Sequence, residues 1–342
     1  MQLESVSQCP ACNSLESAYF IENRHDYVCG LSGTWSFRKC HKCKSLWIDP
    51  RPIKEMIPFL YPENYTFTHG QPANPLKEPD GFLQRLLFAI KLGTLDQLFG
   101  YKGISSKASL SWGVALGKII SYFPRISKRA GYTVRYLSCI PSGNLLEVGV
   151  GNGSFLWLMS ALGWQVTGIE PDPEAAKAAT ATGLTIIPCD IESAELQDSY
   201  YDAIVLHHVL EHLPNPRIAL SKLVKSLKSG GTLVSISPNP AGLIADLFGQ
   251  NWYQLDPPRH LVLPTSQGYK SLLEEELVEL NISTTMQTSF WIFKESLSLR
   301  YTGKTGTYQG WLLPKIFSWI SSFFLSVKPN SGEEVICVAV KK

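Results

Sequence analysis

Between residues 141 and 288 the chain alternates apolar runs of strand length with segments of helix length, and this alternation leaves few folds open. The strands read NLLEVGV, QVTGIE, LTIIPCD, YDAIVLHHVL and TLVSISP, and the helices SFLWLMSALG, PEAAKAATATG and RIALSKLVKSLKSGG. Strands separated in this way return by right-handed crossovers to a parallel sheet covered on both faces. The runs AIVL and TLVSI are apolar without alternation, as strands buried on both sides require. Sheets of this kind bind ligands outside the carboxyl ends of their strands, so the residues at those ends carry the chemistry.

The first strand ends in the turn EVGVGNGSF, with glycines at 149, 151 and 153. A dinucleotide fingerprint needs a glycine at 154, where this chain has Ser154. Glu147 precedes the turn, where a carboxylate repels a pyrophosphate but accepts hydrogen bonds from an ammonium. The expected ligand is therefore a cation, and S-adenosylmethionine has both an ammonium and a sulfonium. The second strand ends in Glu170, placed for the ribose hydroxyls, and the third near Asp190, placed for the adenine amino group. Ordinary turn glycines and surface acids are the bland alternative.

The motifs LLEVGVGNGSFLWLM, VTGIEPDPEAAKAA, DAIVLHHVLEHLPNP and GGTLVSISPNP resemble those of class I S-adenosylmethionine-dependent methyltransferases. The resemblance implies an α/β fold: a seven-stranded, doubly wound, Rossmann-like sheet with its last strand antiparallel, for which GEEVICVAVKK is the candidate. It implies that Glu147, Gly149, Gly151, Gly153, Glu170 and Asp190 hold the cofactor, with His207, packed at the end of the fourth strand, counted among them.

Two C-x-x-C pairs, Cys9/Cys12 and Cys40/Cys43, stand 27 residues apart. Each pair can present two thiolates from one tight turn, so four sulfurs complete a tetrahedral structural zinc site; unligated or redox cysteines are the alternative. The following SLWIDPRPIKEMIPFLYPENYT resembles the linker of a methyltransferase subgroup that begins with a zinc ribbon and includes sugar C-methyltransferases. The expected division is a zinc ribbon and linker over 1–70, a helical cap over 71–140, and a methyltransferase domain over 141–342 with a helical insertion at about 289–332.

Methyl transfer to a hydroxyl or carbon acid needs a base. His207, His208 and His212 cluster with Glu211 after the fourth strand, and DPPRHLVL supplies His260. His260 is the first candidate, then His208 and His212, which share a face if the segment turns helical; structural histidines are the even alternative. Sugar C-methyltransferases of the subgroup place an acid and a Tyr near a comparable His, a pattern DPPRHL lacks. Arg259, Trp252 and Tyr253 are candidates to line an acceptor pocket, with Arg259 reaching a phosphate or carboxylate.

A net charge of +2, with 18% charged residues, is far from the profile of a strongly basic nucleic-acid binder. From Gln97 to Leu146 there are nevertheless seven Lys or Arg and no acid, and GWLLPKIFSWISSFFLSV places aromatic and aliphatic residues at helical spacing. Peripheral membrane contact or an anionic acceptor fits both stretches; a helical cap packed on the sheet is the bland reading. The start lacks a secretory signal and no run is long enough to span a membrane, so a cytoplasmic location is expected. The expected activity is methylation, at oxygen, of a small or glycan-like acceptor. The alternatives are rRNA or tRNA methylation guided by the ribbon, against which the charge and the lack of an Asn/Asp-Pro-Pro-Tyr motif count, and a non-catalytic cofactor-binding protein.

Overall fold

The computed structural model describes residues 1–62 and 74–342; the boundary expected at residue 70 and the end of the linker motif lie outside them. Along the chain run strands β1 (Leu3–Glu4), β2 (Ser17–Arg24), β3 (Trp35–Cys40), β4 (Leu46–Ile48) and β5 (Arg51–Pro52), then helices α1 (Phe82–Phe99), α2 (Ser111–Ile120) and α3 (Pro124–Thr133). The alternating region follows as β6 (Asn144–Val148), α4 (Ser154–Ala161), β7 (Gln165–Ile169), α5 (Pro173–Thr180), β8 (Thr185–Ile187), β9 (Tyr201–His207), α6 (Pro216–Ser226) and β10 (Leu227–Pro238). After it come α7 (Leu243–Phe248), β11 (Val262–Leu263), α8 (Ser266–Leu272), β12 (Val278–Thr285), α9 (Ser289–Thr302), α10 (Leu312–Val327) and β13 (Glu334–Lys341).

The larger sheet has seven strands in the order β12-β13-β10-β9-β6-β7-β8. The pairs β6/β7 and β7/β8 are parallel, and β12 and β13 are antiparallel, the closing arrangement expected of GEEVICVAVKK. The order reverses beside β6, which places a switch point at its carboxyl end. The helix expected through Gly231 differs from its sequence pattern: it stops at Ser226, and β10 starts at Leu227. Gly230, at φ 77°, takes the left-handed turn that the strand needs, a conformation open to glycine at little cost.

The chain forms two compact units, one of Met1–Tyr65, Leu206–Lys225 and Ser235–Lys342, the other of Thr66–Val205 and Ser226–Val234. In the first, a four-stranded sheet runs β11-β4-β3-β2, all neighbours antiparallel. Its inner face, with Trp35, Phe37 and Ile48, packs with Trp252, Leu255, Leu263, Phe293 and Leu297 in one apolar core. Phe317 of α10 stacks on Phe293 at 4.1 Å between ring centroids. In the second, α5 starts where its sequence says: Asp172 accepts from the amides of Glu174 and Ala175 at 2.9 and 3.1 Å, and Pro173 needs no partner at the first helical position.

Candidate functional site

In the second unit the glycine turn closes over the end of β6. Gly149, Gly151 and Gly153 all have positive φ, and the last caps α4. A Cβ at Gly153 would press on Leu184 and Ala179, so the position is restricted both by conformation and by space. Glu170 fastens this turn: one carboxylate oxygen accepts from Gly151 N–H at 2.7 Å, the other from Asp172 N–H at 2.9 Å. Burial raises its pKa, while those two amides oppose the rise. Each oxygen still has a second lone pair for a further donor. Asp190 accepts from the backbone amide and hydroxyl of Ser193, which folds the loop after β8.

Glu147 is 4% exposed and one of its oxygens, Oε2, is buried with no hydrogen-bond partner. Burial pushes its pKa up to about 8, with Arg135 opposing and Glu170 adding to the rise. An orphaned carboxylate oxygen beside a left-handed glycine turn suits a ligand with an N–H or cationic donor, and the residues therefore fit S-adenosylmethionine.

In the first unit the four paired cysteines converge, their sulfurs all within 4.8 Å of one another. Cys9 and Cys43 lie 3.6 Å apart, Cys12 and Cys40 3.5 Å. Zinc bonded to sulfur at about 2.3 Å implies sulfur–sulfur edges of about 3.8 Å, so this donor set fits the metal. The Cys9–Cys43 hydrogen bond lowers the pKa of the Cys43 thiol and, together with burial, raises that of Cys9, so the pair shares a proton that a metal would displace.

The four candidate histidines, in the same unit, separate into two groups. A helix over 208–212 does not form; only a 3-10 turn, Leu210–His212, follows β9, and His208 bends away at φ 56°. Its Nδ1 lies 3.1 Å from Glu211 Oε1 and its Nε2 2.7 Å from Glu334 Oε1. Burial would lower its pKa, but the two carboxylates push it up to about 10, so the ring is a cation held at both nitrogens. His207 packs edge-to-face on it at 4.6 Å, half-buried. His212 instead pairs with His260, ring centroids 4.8 Å apart. The Nδ1 of His212 faces the Arg259 carbonyl and the Tyr61 hydroxyl at 3.1 and 2.9 Å, and burial, aided by His260, lowers its pKa to about 4. The Nδ1 of His260 lies 2.7 Å from the Gln254 carbonyl. An acceptor carbonyl requires N–H at Nδ1, which leaves the Nε2 lone pair of His260 able to take a proton.

Arg259 does not have the role its position suggested. It is fully buried, and its guanidinium is engaged by Asp26 at 2.7 and 2.9 Å and by Asp256 at 2.6 and 3.0 Å, so it fixes the segment rather than meeting an anion. Trp252 is likewise in the core. Of the basic flank, Lys118 is paired with Asp96 at 2.7 Å. On α10 the apolar face points outward: Trp319 and Phe323 are 71% and 72% exposed. No helix among the described residues is long and apolar enough to cross a membrane. Sequence reasoning missed Glu334, Tyr61 and Gln254, which have no local motif and reach the histidines only through the fold.

A family model described as a methyltransferase domain matches residues 122–276. The ubiquinone biosynthesis O-methyltransferase of Xanthomonas campestris pv. campestris (strain B100) is 30% identical over 122 residues, 33% of this chain and 51% of that one. The Vibrio cholerae protein of the same name (serotype O1, strain ATCC 39541) is 31% identical over 110 residues, 30% of this chain and 45% of that one. The chain thus spans about half the length of the curated relatives it matches. A solved S-adenosylmethionine-dependent methyltransferase from Archaeoglobus fulgidus aligns with 64% of this chain and 93% of its own, at 20% identity and a TM-score of 0.44. Residues 122–276 thus match a methyltransferase domain, and the strand order and the glycine turn after β6 are those expected of a class I S-adenosylmethionine-dependent methyltransferase.

Proposed function

We propose that the protein transfers a methyl group from S-adenosylmethionine to an oxygen of a small or glycan-like acceptor. The observation that carries the reading is the buried, unpartnered Glu147 Oε2 beside the three left-handed glycines, a site in want of a cationic donor. The bound cofactor supplies an electrophilic methyl on sulfur. Glu147 and Glu170 would orient it by accepting its N–H and O–H groups. The choice of oxygen is supported by the curated relatives, which are named O-methyltransferases. His260 is the proposed base, because its anchored Nδ1 leaves Nε2 to receive the hydroxyl proton. His208, a clamped cation, is a poor choice, and His212, held neutral, a weak one. Zinc in the four-cysteine site is proposed as structural.

The test is calorimetry with S-adenosylmethionine, followed by incubation with methyl-labelled cofactor and a panel of phenols, nucleotide sugars and RNA. Cofactor binding that weakens at least tenfold in Glu170→Ala, with label recovered as a methyl ether, is the expected result. No binding overturns the cofactor reading; label on RNA overturns the acceptor; and binding without turnover on any acceptor, unchanged in His260→Ala, points to a non-catalytic protein.

A further inference from the structure

We propose that Glu211, His212 and His260 form a second metal site, distinct from the four cysteines, that takes a divalent transition-metal ion through two imidazoles and one carboxylate. One side-chain donor atom from each residue lies within 4.8 Å of the others, the spacing of ligands around a single ion. Glu211 is fully buried, and its Oε2 has no hydrogen-bond partner. A carboxylate oxygen left in this state calls for a cation.

The two rings are prepared in the same way. Each directs Nδ1 at a backbone carbonyl, His260 at Gln254 and His212 at Arg259, the latter with the Tyr61 hydroxyl 2.9 Å away as a second acceptor. That bond fixes the tautomer with the lone pair on Nε2 and sets the ring's orientation, the support that metal-bound histidines receive from their surroundings. The carboxylate is supported too: its other oxygen, Oε1, faces the His208 ring at 3.1 Å. The strand-like bond from Leu261 N–H to the Glu211 carbonyl, 2.7 Å, holds the segments of Glu211 and His260 side by side. Arg259, clamped by Asp26 and Asp256, stiffens the His260 segment further.

A neighbouring cluster, His207, His208 and Glu334, has similar spacing but the wrong chemistry. Both ring nitrogens of His208 already face carboxylates, so that ring has no lone pair to offer. Two imidazole nitrogens and one carboxylate oxygen favour zinc, iron(II), cobalt(II) or manganese(II) over magnesium or calcium. Three protein ligands leave coordination positions open, as in catalytic rather than structural sites. The two roles of His260 exclude each other: with an ion bound, His260 would be a ligand instead of the base, and the ion would be what acidifies an acceptor hydroxyl. That last consequence rests on the methyl-transfer reading; the metal site does not, and metal content is measured independently of turnover.

The experiment uses the full chain, stripped with chelator and reloaded with zinc or cobalt(II). Zinc analysis should give about two ions per chain in the wild type and about one in Glu211→Gln and in His260→Gln. With cobalt, the cysteine site gives thiolate charge-transfer absorption in the near ultraviolet, and the proposed site adds visible bands that are absent from both variants while the charge-transfer band remains. Retention of that band shows that each variant is folded. One zinc per chain in the wild type at saturating zinc, or a second ion retained in both variants, overturns the site.

Discussion

Glu147 joins burial to charge at a single residue. Its carboxyl keeps a proton up to about pH 8 in the folded chain, whereas the unfolded chain releases it at an ordinary acidity of 4.5. Between those values the folded state binds the extra proton, so its contribution to stability is present at low pH and is lost as pH rises through the window. A cationic ligand reverses the preference by favouring the carboxylate. S-adenosylmethionine should therefore bind more tightly as pH rises from about 6 to about 7.5, by roughly tenfold, with release of a proton, until its own α-amino group begins to lose its charge near pH 8. Titration calorimetry in two buffers of different ionisation enthalpy reads the proton directly, and Glu147→Gln should abolish both effects. At this scale the sequence was informative where chemistry is local: Glu147, the glycines and Glu170 stand within one strand–turn–strand unit. It was silent on Glu334, 126 residues from His208, and on Tyr61, 151 residues from His212, because nothing in a linear pattern pairs residues so far apart.

At the scale of elements, α1 and α2 pack through glycine. A Cβ at Gly117 would strike the Ile90 carbonyl, and one at Gly93 the Val114 carbonyl, so the two helices approach backbone to backbone. Neither carbonyl can move without breaking its own helix. Gly117→Ala should destabilise the chain by about 1–3 kcal/mol despite alanine's better helix propensity, read as a lower urea midpoint with unchanged slope. The alternating strands and helices were legible because apolar runs and caps are local signals, as Asp172-Pro173 shows. The end of α6 was not, since the apolar pattern of RIALSKLVKSL runs on past the point where β10 begins at Leu227. β11 escaped notice for another reason: two residues show no period.

At the scale of the whole chain, β11 ties the cysteine module to the segment of His260. Val262 pairs with Trp47 and Leu263 with Leu46, Ile48 N–H donates to the Leu261 carbonyl, and the Thr265 hydroxyl donates to the Cys43 carbonyl at 2.5 Å. Zinc removal from the four cysteines should therefore loosen residues 261–265 as well as 9–43. Hydrogen exchange should show faster amides in both stretches after chelation, reversed by zinc; loss confined to 9–43 would mean that the module is energetically separate. A chain shortened by its first fifty or so residues would consequently not be a smaller stable unit. It would expose Val262 and Leu263 as an unpaired edge, together with the core side chains Leu255 and Phe293, and its expected behaviour is to aggregate.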